Sequence, residues 1–559
     1  MQGEVVGCRL MATTGDKPRQ IGIDLGTTNT LAAWTDGRVP RVIPTEKGGN
    51  LLPSVVAFAG ERVMIGQPAK EQLLINPADT IYGSKRLVGR PFHSTQVKAL
   101  QKRFPYEIVE GDRGLCAVKA GGRVHDLAEI STILLQQIAR YASAHLGGPV
   151  EGAVISVPAD YPLTQREAVR KAARAAGLDV WRLVNEPTAA ALAYGLTRNL
   201  DQKILVFDLG GGTFDVSILE IGGGTFNVLA TGGDSSLGGV DFDIRLSDHL
   251  IERFETDEDL SIRDEPVVVQ RVLNAAELAK IDLSLLQHAE VRLPFVTQRR
   301  GKPVDLLLHV SRQQLVQLTE DLVERCARTV DEVLAHAGLA HNNIDEILLA
   351  GGQTRMPAIQ ARLEKQFGKP PKKGVNPDEV VAQGAALLAR SLSGGGEVRL
   401  LDVISLPVGI GRRSATGVTF EPVLARNATL PAQGAVEVTT LVDGQTAIEV
   451  DLFQGLSRDI KAADYLGTVK MDVPPGPAGA RAMTVTVHVD AEGLLEVRGV
   501  APGSPVRRLP MVAKHPTLRM DGPPAHLSDA SSGSIPIPRG AAQGTAAAKP
   551  GLLQRLFRR

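Results

Sequence analysis

Three cysteines in 559 residues, Cys8, Cys116 and Cys326, are odd in number, scattered and in no metal spacing. That usage excludes a disulfide framework and fits a reducing compartment, here expected to be the cytoplasm. Neither sign of charge is in excess, since 62 Lys and Arg balance 62 Asp and Glu. No net field therefore draws the chain to nucleic acid or to an anionic membrane surface. No uninterrupted apolar run approaches the ~18 residues of a membrane span. The opening MQGEVVGCRL lacks the charged start and apolar core of a signal peptide. Absent too is any G-x-x-x-x-G-K-[ST], which removes the P-loop way of holding a nucleotide.

What is present is ordinary globular material, 43% hydrophobic and 22% charged. The length prior gives three or so domains. Residues 20 to about 392 alternate short apolar runs with helical patterns, which argues α/β layers. GAVISVP (152–158) reads as a strand, Thr164-Gln-Arg-Glu167 as a capping box, and EAVRKAARAA as a helix stopping at Gly177. After LSGGG (392–396) the texture becomes short alternating strands such as AIEVDLF and MTVTVHVD, an all-β pattern to about 512. From 515 to 559, Pro and Gly make up 11 of 45 residues, so the tail is expected to be disordered.

Residues 208–215 read DLGGGTFD, straight after the apolar run ILVF, and a shorter relative appears as IGIDLGTTNT at 21–30. In each, an apolar run ends in Asp (Asp24, Asp208), followed by Leu-Gly, a hydroxyl-bearing turn and a second run. Glycine permits φ > 0 and lets a ligand approach without a Cβ in the way. Successive N–H groups in such a turn form a nest for phosphate. Threonine hydroxyls add donors, and the strand-end carboxylate suits a hydrated Mg²⁺. One such turn alone fits a plain glycine hairpin equally well. Two copies with one Asp-Leu-Gly core point to phosphate.

With these hairpins stand SKRLVGRPF, AVISVPADY, VNEPTAAALAYG, LGGVDFD, LLAGGQTRMP and VNPDEVVAQGAA, in that family order. From about 20 to 512 the chain resembles a DnaK-type seventy-kilodalton heat-shock chaperone, whose ATPase domain belongs to the actin and hexokinase superfamily. The resemblance implies a two-lobed α/β actin-like ATPase, each lobe built on a five-stranded sheet, then a small β-sandwich and the tail. The expected boundaries are a disordered 1–18, the ATPase domain 19–393, a linker 394–401, the sandwich 402–513 and a disordered 514–559. It further implies ATP and ADP as ligands with Mg²⁺, and K⁺ as a further ion.

Carried over residue by residue, the resemblance gives Asp24 and Asp208 the Mg²⁺ and its waters. Gly26, Thr27, Thr28, Asn29, Gly210, Gly211, Gly212 and Thr213 would grip the phosphates, with Gly238 and Gly239 of LGGVDFD. Lys85 would place the attacking water and Glu186 hold the water network. Adenosine would lie across Glu277, Lys280 and Ser284, which share one helix face with Ile281, against Gly351, Gly352, Gln353, Arg355 and Asp378. Where the family has a base-stacking cation this chain has Ile281, so weaker nucleotide affinity is expected.

The same resemblance makes Arg182 a contact for a J-domain co-chaperone and Pro158 and Arg166 a relay between domains. A GrpE-type nucleotide-exchange factor is a further expected partner, and the chain is expected to be a monomer. In the linker, Val398-Arg399-Leu400-Leu401-Asp402 puts a guanidinium where the family has an aliphatic, which costs energy unless the charge reaches water. In the sandwich, Ile448 and Leu441 fall where the family holds an extended apolar peptide, while core packing explains Ile448 equally. The loop GRRSATG (411–417) lacks the family's arching methionine. No Pro- or Gly-free stretch of the tail exceeds eight residues (525–532 and 552–559), so no helical lid is expected. Three functions fit: an ATP-driven peptide chaperone, a small-molecule kinase on the same fold, and an ATP-binding scaffold with weak coupling between its sites. The kinase leaves the β-domain unexplained.

Overall fold

The structure, a computed structural model, describes residues 18–512 apart from 38, 196–200, 396–397, 415–416 and 502–503. The expected N-terminal extension, apart from Pro18, and the tail in which no lid was expected lie outside the described residues.

Two sheets built to one plan organise residues 20–401, with three smaller sheets beside them. In the first, strand Gln20–Leu25 turns back as Asn29–Trp34 and is flanked on its other side by the parallel strand Gly152–Val157. Val180–Asn185 extends that side, and Arg41–Val42 and Leu52–Pro53 both pair with Asn29–Trp34, giving six strands rather than the five expected. In the second, Gln202–Leu209 turns back as Phe214–Gly222 and is flanked by the parallel strand Glu346–Ala350. The repeated Asp-Leu-Gly text is thus a repeated topology. Gln202–Leu209 is apolar on both faces because both are covered, with Ile204, Leu205, Val206 and Phe207 all buried. In Gln20–Leu25, Ile21 and Ile23 are buried on one face while Gly22 lets the Ala386 backbone approach on the other.

Helices Glu186–Gly195 and Val380–Arg390 join the two halves. Their alanines, with Val154 and Val184 from one sheet and Ile204 and Val206 from the other, make one continuous core. The helix axes approach closely because both sequences, EPTAAALAYG and VVAQGAALLAR, are rich in small residues. At the crossing, a Cβ on Gly384 would stand 1.7 Å from the Ala189 carbonyl oxygen.

The last three residues of the expected linker form a strand. Arg399–Leu401 adds in parallel to Thr225–Asp234, with Phe226 opposite Leu400, and becomes the fifth strand of the second sheet. Leu400 and Val398 pack on the shared core, while Arg399 lies on the exposed side. The expected cost of burying its charge does not arise. Directly after it, the buried Asp402 carboxylate accepts hydrogen bonds from Asn185 Nδ2 at 2.9 Å and from its neighbour Val403 N–H at 2.8 Å. Burial raises its pKa, opposed by the Val403 N–H and by Arg166 and Arg182.

Beyond Asp402, two antiparallel sheets face each other. One runs Gly417–Leu424, Val408–Ser414, Ala447–Gln454, Asp464–Asp472 and Met511–Val512, the other Ala432–Thr439, Ala482–Val489, Leu495–Val500 and Arg507–Arg508. Alternation does what period-2 patterning demands: in AMTVTVHV every second residue is buried. Within the segment 411–417, expected as a loop, the described residues Gly411, Arg412, Arg413, Ser414 and Gly417 belong to paired strands, with Ser414 opposite Gly417.

The sandwich rests on the first sheet. Leu163 lies in the sandwich's own core beside Ile404, Val408 and Leu452, and its N–H donates to Gln454 Oε1 at 2.9 Å. Arg170 pairs with Glu492, and Arg182 donates to the Ala491 carbonyl at 3.2 Å. The expected capping box is corrected here. The helix spans Leu163–Ala175 with Pro162 at its N-cap and no side-chain cap, so Thr164 is already inside the helix. Its leading residue is occupied by the sandwich instead.

A packing test follows from the helix crossing. Gly384→Val should destabilise the protein by about 1–3 kcal/mol, as overpacked cores do. The loss should appear in thermal unfolding despite valine's lower conformational entropy in the unfolded chain. An unchanged melting temperature would contradict the close crossing.

Candidate functional site

A cavity of about 690 Å³ lies between the two halves, floored by both hairpin turns. Asp24, Gly26, Thr27, Thr28 and Asn29 line it from one side and Asp208, Gly210, Gly211 and Thr213 from the other. The turns touch at their tips. A Cβ on Gly211 would fall 1.8 Å from Thr28 Oγ1, and one on Gly212 would fall 2.4 Å from Thr27 Cγ2. None of Gly210, Gly211 and Gly212 has a positive φ. The expected conformational reason for these glycines is therefore corrected: they answer to proximity, not to left-handed backbone. Gly212 and Gly238 stand behind the wall rather than in it, with Gly238 against the backbone of Gly211 and Gly212.

Lys85 and Glu186 form a buried ion pair at the cavity floor. Lys85 sits in the 3-10 turn Ser84–Arg86, entered through left-handed Gly83, and Glu186 begins the bridging helix. Around them the charges do not balance, because Asp24, Asp208 and Glu186 face one lysine. Burial pushes the Asp24 carboxyl up to about 7, helped by the Glu186 charge and opposed by Lys85 and by the Ser156 hydroxyl at 3.0 Å. Burial, then Glu186 and Asp24, hold Asp208 well above the usual carboxylate range. Burial alone would lower Lys85, but Glu186 and Asp24 outweigh it and its pKa rises. A site so rich in carboxylates favours an added cation.

The helix Pro266–Leu285 presents Glu277, Lys280, Ile281 and Ser284 to the cavity, opposite Gly351, Gly352, Gln353, Arg355 and Asp378. Lys280 reaches the Gly239 carbonyl at 3.1 Å and Asp243 at 2.8 Å. The Arg355 guanidinium is held by Asp378 at 2.6 Å and Asn376 at 2.8 Å. Ile281 and Leu285 line the cavity yet stay exposed, so the helix wall sets an apolar patch beside Lys280.

The family model described as Hsp70 protein matches residues 20–509. The chain belongs to the Hsp70 family. Membership makes it an ATPase and a chaperone of the two-lobed actin-like fold, a binder of ATP and ADP with Mg²⁺, and a protein that works with peptide substrates and co-chaperones. No helix among the described residues is long and apolar enough to cross a membrane.

Other residues singled out from the sequence lie away from the Hsp70 cleft. Arg166 is buried near Asp402, paired with Asn185 and donating to the Ala159 carbonyl at 3.3 Å and, more weakly, to Pro158 at 3.5 Å. Arg182 and Arg399 are on the surface. Ile448 is buried in the sandwich core, whereas Leu441 is exposed in the turn after Ala432–Thr439. Sequence reasoning missed Lys70, Tyr82, Phe104 and Gln270, which line the cleft. Tyr82 bonds Gln270 at 3.1 Å across 188 residues of chain, and no local spacing carries that signal. Asp243 was within reach, because it closes LGGVDFD.

Across the cleft mouth, Lys70 Nζ meets Glu277 Oε2 at 2.9 Å, with side chains 30% and 24% exposed. Such a pair contributes about 1 kcal/mol at most. Lys70→Ala should therefore speed release of fluorescent ADP two- to fivefold in stopped flow. An unchanged rate would show that the pair does not restrain opening.

Proposed function

We propose that this protein is a DnaK-type chaperone in which ATP hydrolysis at the cleft controls binding of extended apolar peptide in the β-sandwich. The observation that carries the hydrolytic reading is the Lys85–Glu186 pair set between two glycine turns, with Asp24 and Asp208 at their bases. Phosphoryl transfer leaves the protein positioning and electrostatics as its work, and this inventory supplies both. Thr27, Thr28, Asn29, Gly211 and Thr213 bind the phosphates. Lys85 orients the attacking water and offsets charge on the γ-phosphate, and Glu186 fixes the lysine head and the water network.

Asp24 and Asp208 would hold the Mg²⁺. Their raised pKa values mark a carboxylate pair short of positive charge, and that donor set fits a hard, oxygen-seeking ion. No group of three or more His, Cys, Asp or Glu is placed to hold a metal among the described residues, so the ion would share phosphate oxygens and water. When bound, it neutralises the charge that develops on the phosphates. Glu277, Lys280, Ser284, Gly351, Gly352, Gln353 and Arg355 take the adenosine. Asp378 positions Arg355. K⁺ would be a secondary ion at the same carboxylates.

Coupling runs through Pro158, Arg166, Asn185 and Asp402 to the strand Arg399–Leu401. A J-domain co-chaperone is read onto Arg182, which is half-buried beside Ala491, and a GrpE-type exchange factor onto the cleft lips. Ile448 and Leu441 serve the peptide site, and the protein acts as a cytoplasmic monomer in the stress response.

Lys85→Ala tests the chemistry. Hydrolysis should fall about 10²–10³-fold, as for loss of a positioned charge, while ATP affinity stays within a few-fold by calorimetry. Hydrolysis within threefold of wild type would overturn the assignment. Coupling is tested on neighbouring residues. Arg399→Leu should leave peptide stimulation of the ATPase within twofold, because the guanidinium is on the exposed side. Leu400→Asp should abolish stimulation by placing a charge against the shared core, and the reverse ranking would refute the docked-strand reading.

A further inference from the structure

The turn that carries Lys85 satisfies its own backbone unevenly. Arg86 N–H donates to Gly83 at 3.0 Å, and Leu87 and Val88 N–H both donate to Ser84, at 2.9 and 3.0 Å. The Arg86 carbonyl is taken by Arg90 Nε at 2.9 Å. None of these donors reaches the Lys85 carbonyl, which is left for a partner from elsewhere, as helix ends require. That partner is Tyr161, whose hydroxyl donates to the Lys85 carbonyl at 2.5 Å. Burial and then the Glu186 charge raise the phenol's pKa well above its usual value, so the proton stays available as a donor.

Tyr161 is itself firmly placed. It is 1% exposed, in the core of the first half with Ile23, Leu25 and Val169. Its N–H donates to Pro158 at 3.2 Å and its carbonyl accepts from Arg166 Nε at 3.3 Å. The ring of the following Pro162 restricts its backbone further. One turn later, Gln165 Nε2 donates to the Val88 carbonyl at 2.8 Å. The segment 161–165 therefore grips the lysine turn at both ends.

Resting on the role given to Lys85 above, we propose that Tyr161 is a positioning residue for hydrolysis: its hydroxyl fixes the main chain of Lys85 and so where the ammonium stands. A lysine head hangs on four flexible carbons, and productive sites hold such groups within about 0.5 Å. With the hydroxyl gone, the carbonyl is buried without a partner and the turn shifts to find one. A misplacement on the order of 1 Å is worth about 10²-fold in rate. Because the rest of the turn keeps its bonds, we expect about tenfold.

Tyr161→Phe keeps the ring and removes only the hydroxyl, and it is compared with Lys85→Ala and the double variant in single-turnover ATP hydrolysis. Tyr161→Phe should lower kcat about tenfold with KM for ATP within twofold. In the Lys85→Ala background the same change should alter the rate by less than twofold, because its effect passes through the lysine. A kcat within twofold of wild type, with Lys85→Ala showing its full loss, would overturn the positioning role alone. A tenfold loss persisting in the Lys85→Ala background would show a structural role and overturn it equally. Near-normal hydrolysis by Lys85→Ala would instead sink the functional reading, and this inference with it.

Discussion

One buried lysine, Lys85, set among carboxylates governs the cleft floor. Asp24, Asp208 and Glu186 come from different strands and a helix, each carried in by an element that must be buried for other reasons. Leaving these charges in a low-dielectric floor is costly, and the pKa shifts record that cost. The arrangement persists because the folded scaffold over-determines it: two sheets of like plan, clamped by two small-residue helices, leave the strand ends nowhere else to go. The cleft is thus a place where stability has been given up, and its excess of buried carboxylate is the kind that an added cation offsets.

Much of this was legible in the residues, and for physical reasons. A strand end, a turn without side chains and a return strand are local events, so Asp24 and Asp208 announce themselves in a few residues each. The helix face bearing Glu277, Lys280 and Ser284 was readable from its period. The glycines were expected to admit a ligand and to take left-handed backbone. The φ expectation fails, and what stands against Gly211 and Gly212 is Thr28 and Thr27 of the other turn, a contact composition does not reveal. Thr164 looked like a cap until the sandwich took the preceding residue, a contact some 290 residues distant in sequence. Lys70, Tyr82 and Gln270 were invisible for the same reason. What brings them together is the packing of two lobes.

The join between cleft and sandwich mixes strong and weak terms. Arg170 and Glu492 are partly exposed, and such pairs contribute little. Leu163 inside the sandwich core and Asp402 among Asn185, Val403 and Thr188 are buried. Separation of the domains would expose a leucine and leave a buried carboxylate with fewer donors, so these two contacts dominate. Leu163 follows Tyr161 by two residues and Asp402 bonds Asn185, the neighbour of Glu186, which ties the two regions mechanically.

The strand Arg399–Leu401 has one more consequence. It does more than tether: it occupies the open edge of a sheet, at Thr225, Phe226 and Asn227. If it leaves, that edge presents unpaired backbone donors and acceptors beside a newly bared apolar strip, a template for any extended chain. A protein whose work brings it unfolded polypeptide would then offer a second, unregulated place for strands to add. Holding the linker in register therefore guards the chaperone against its own clients.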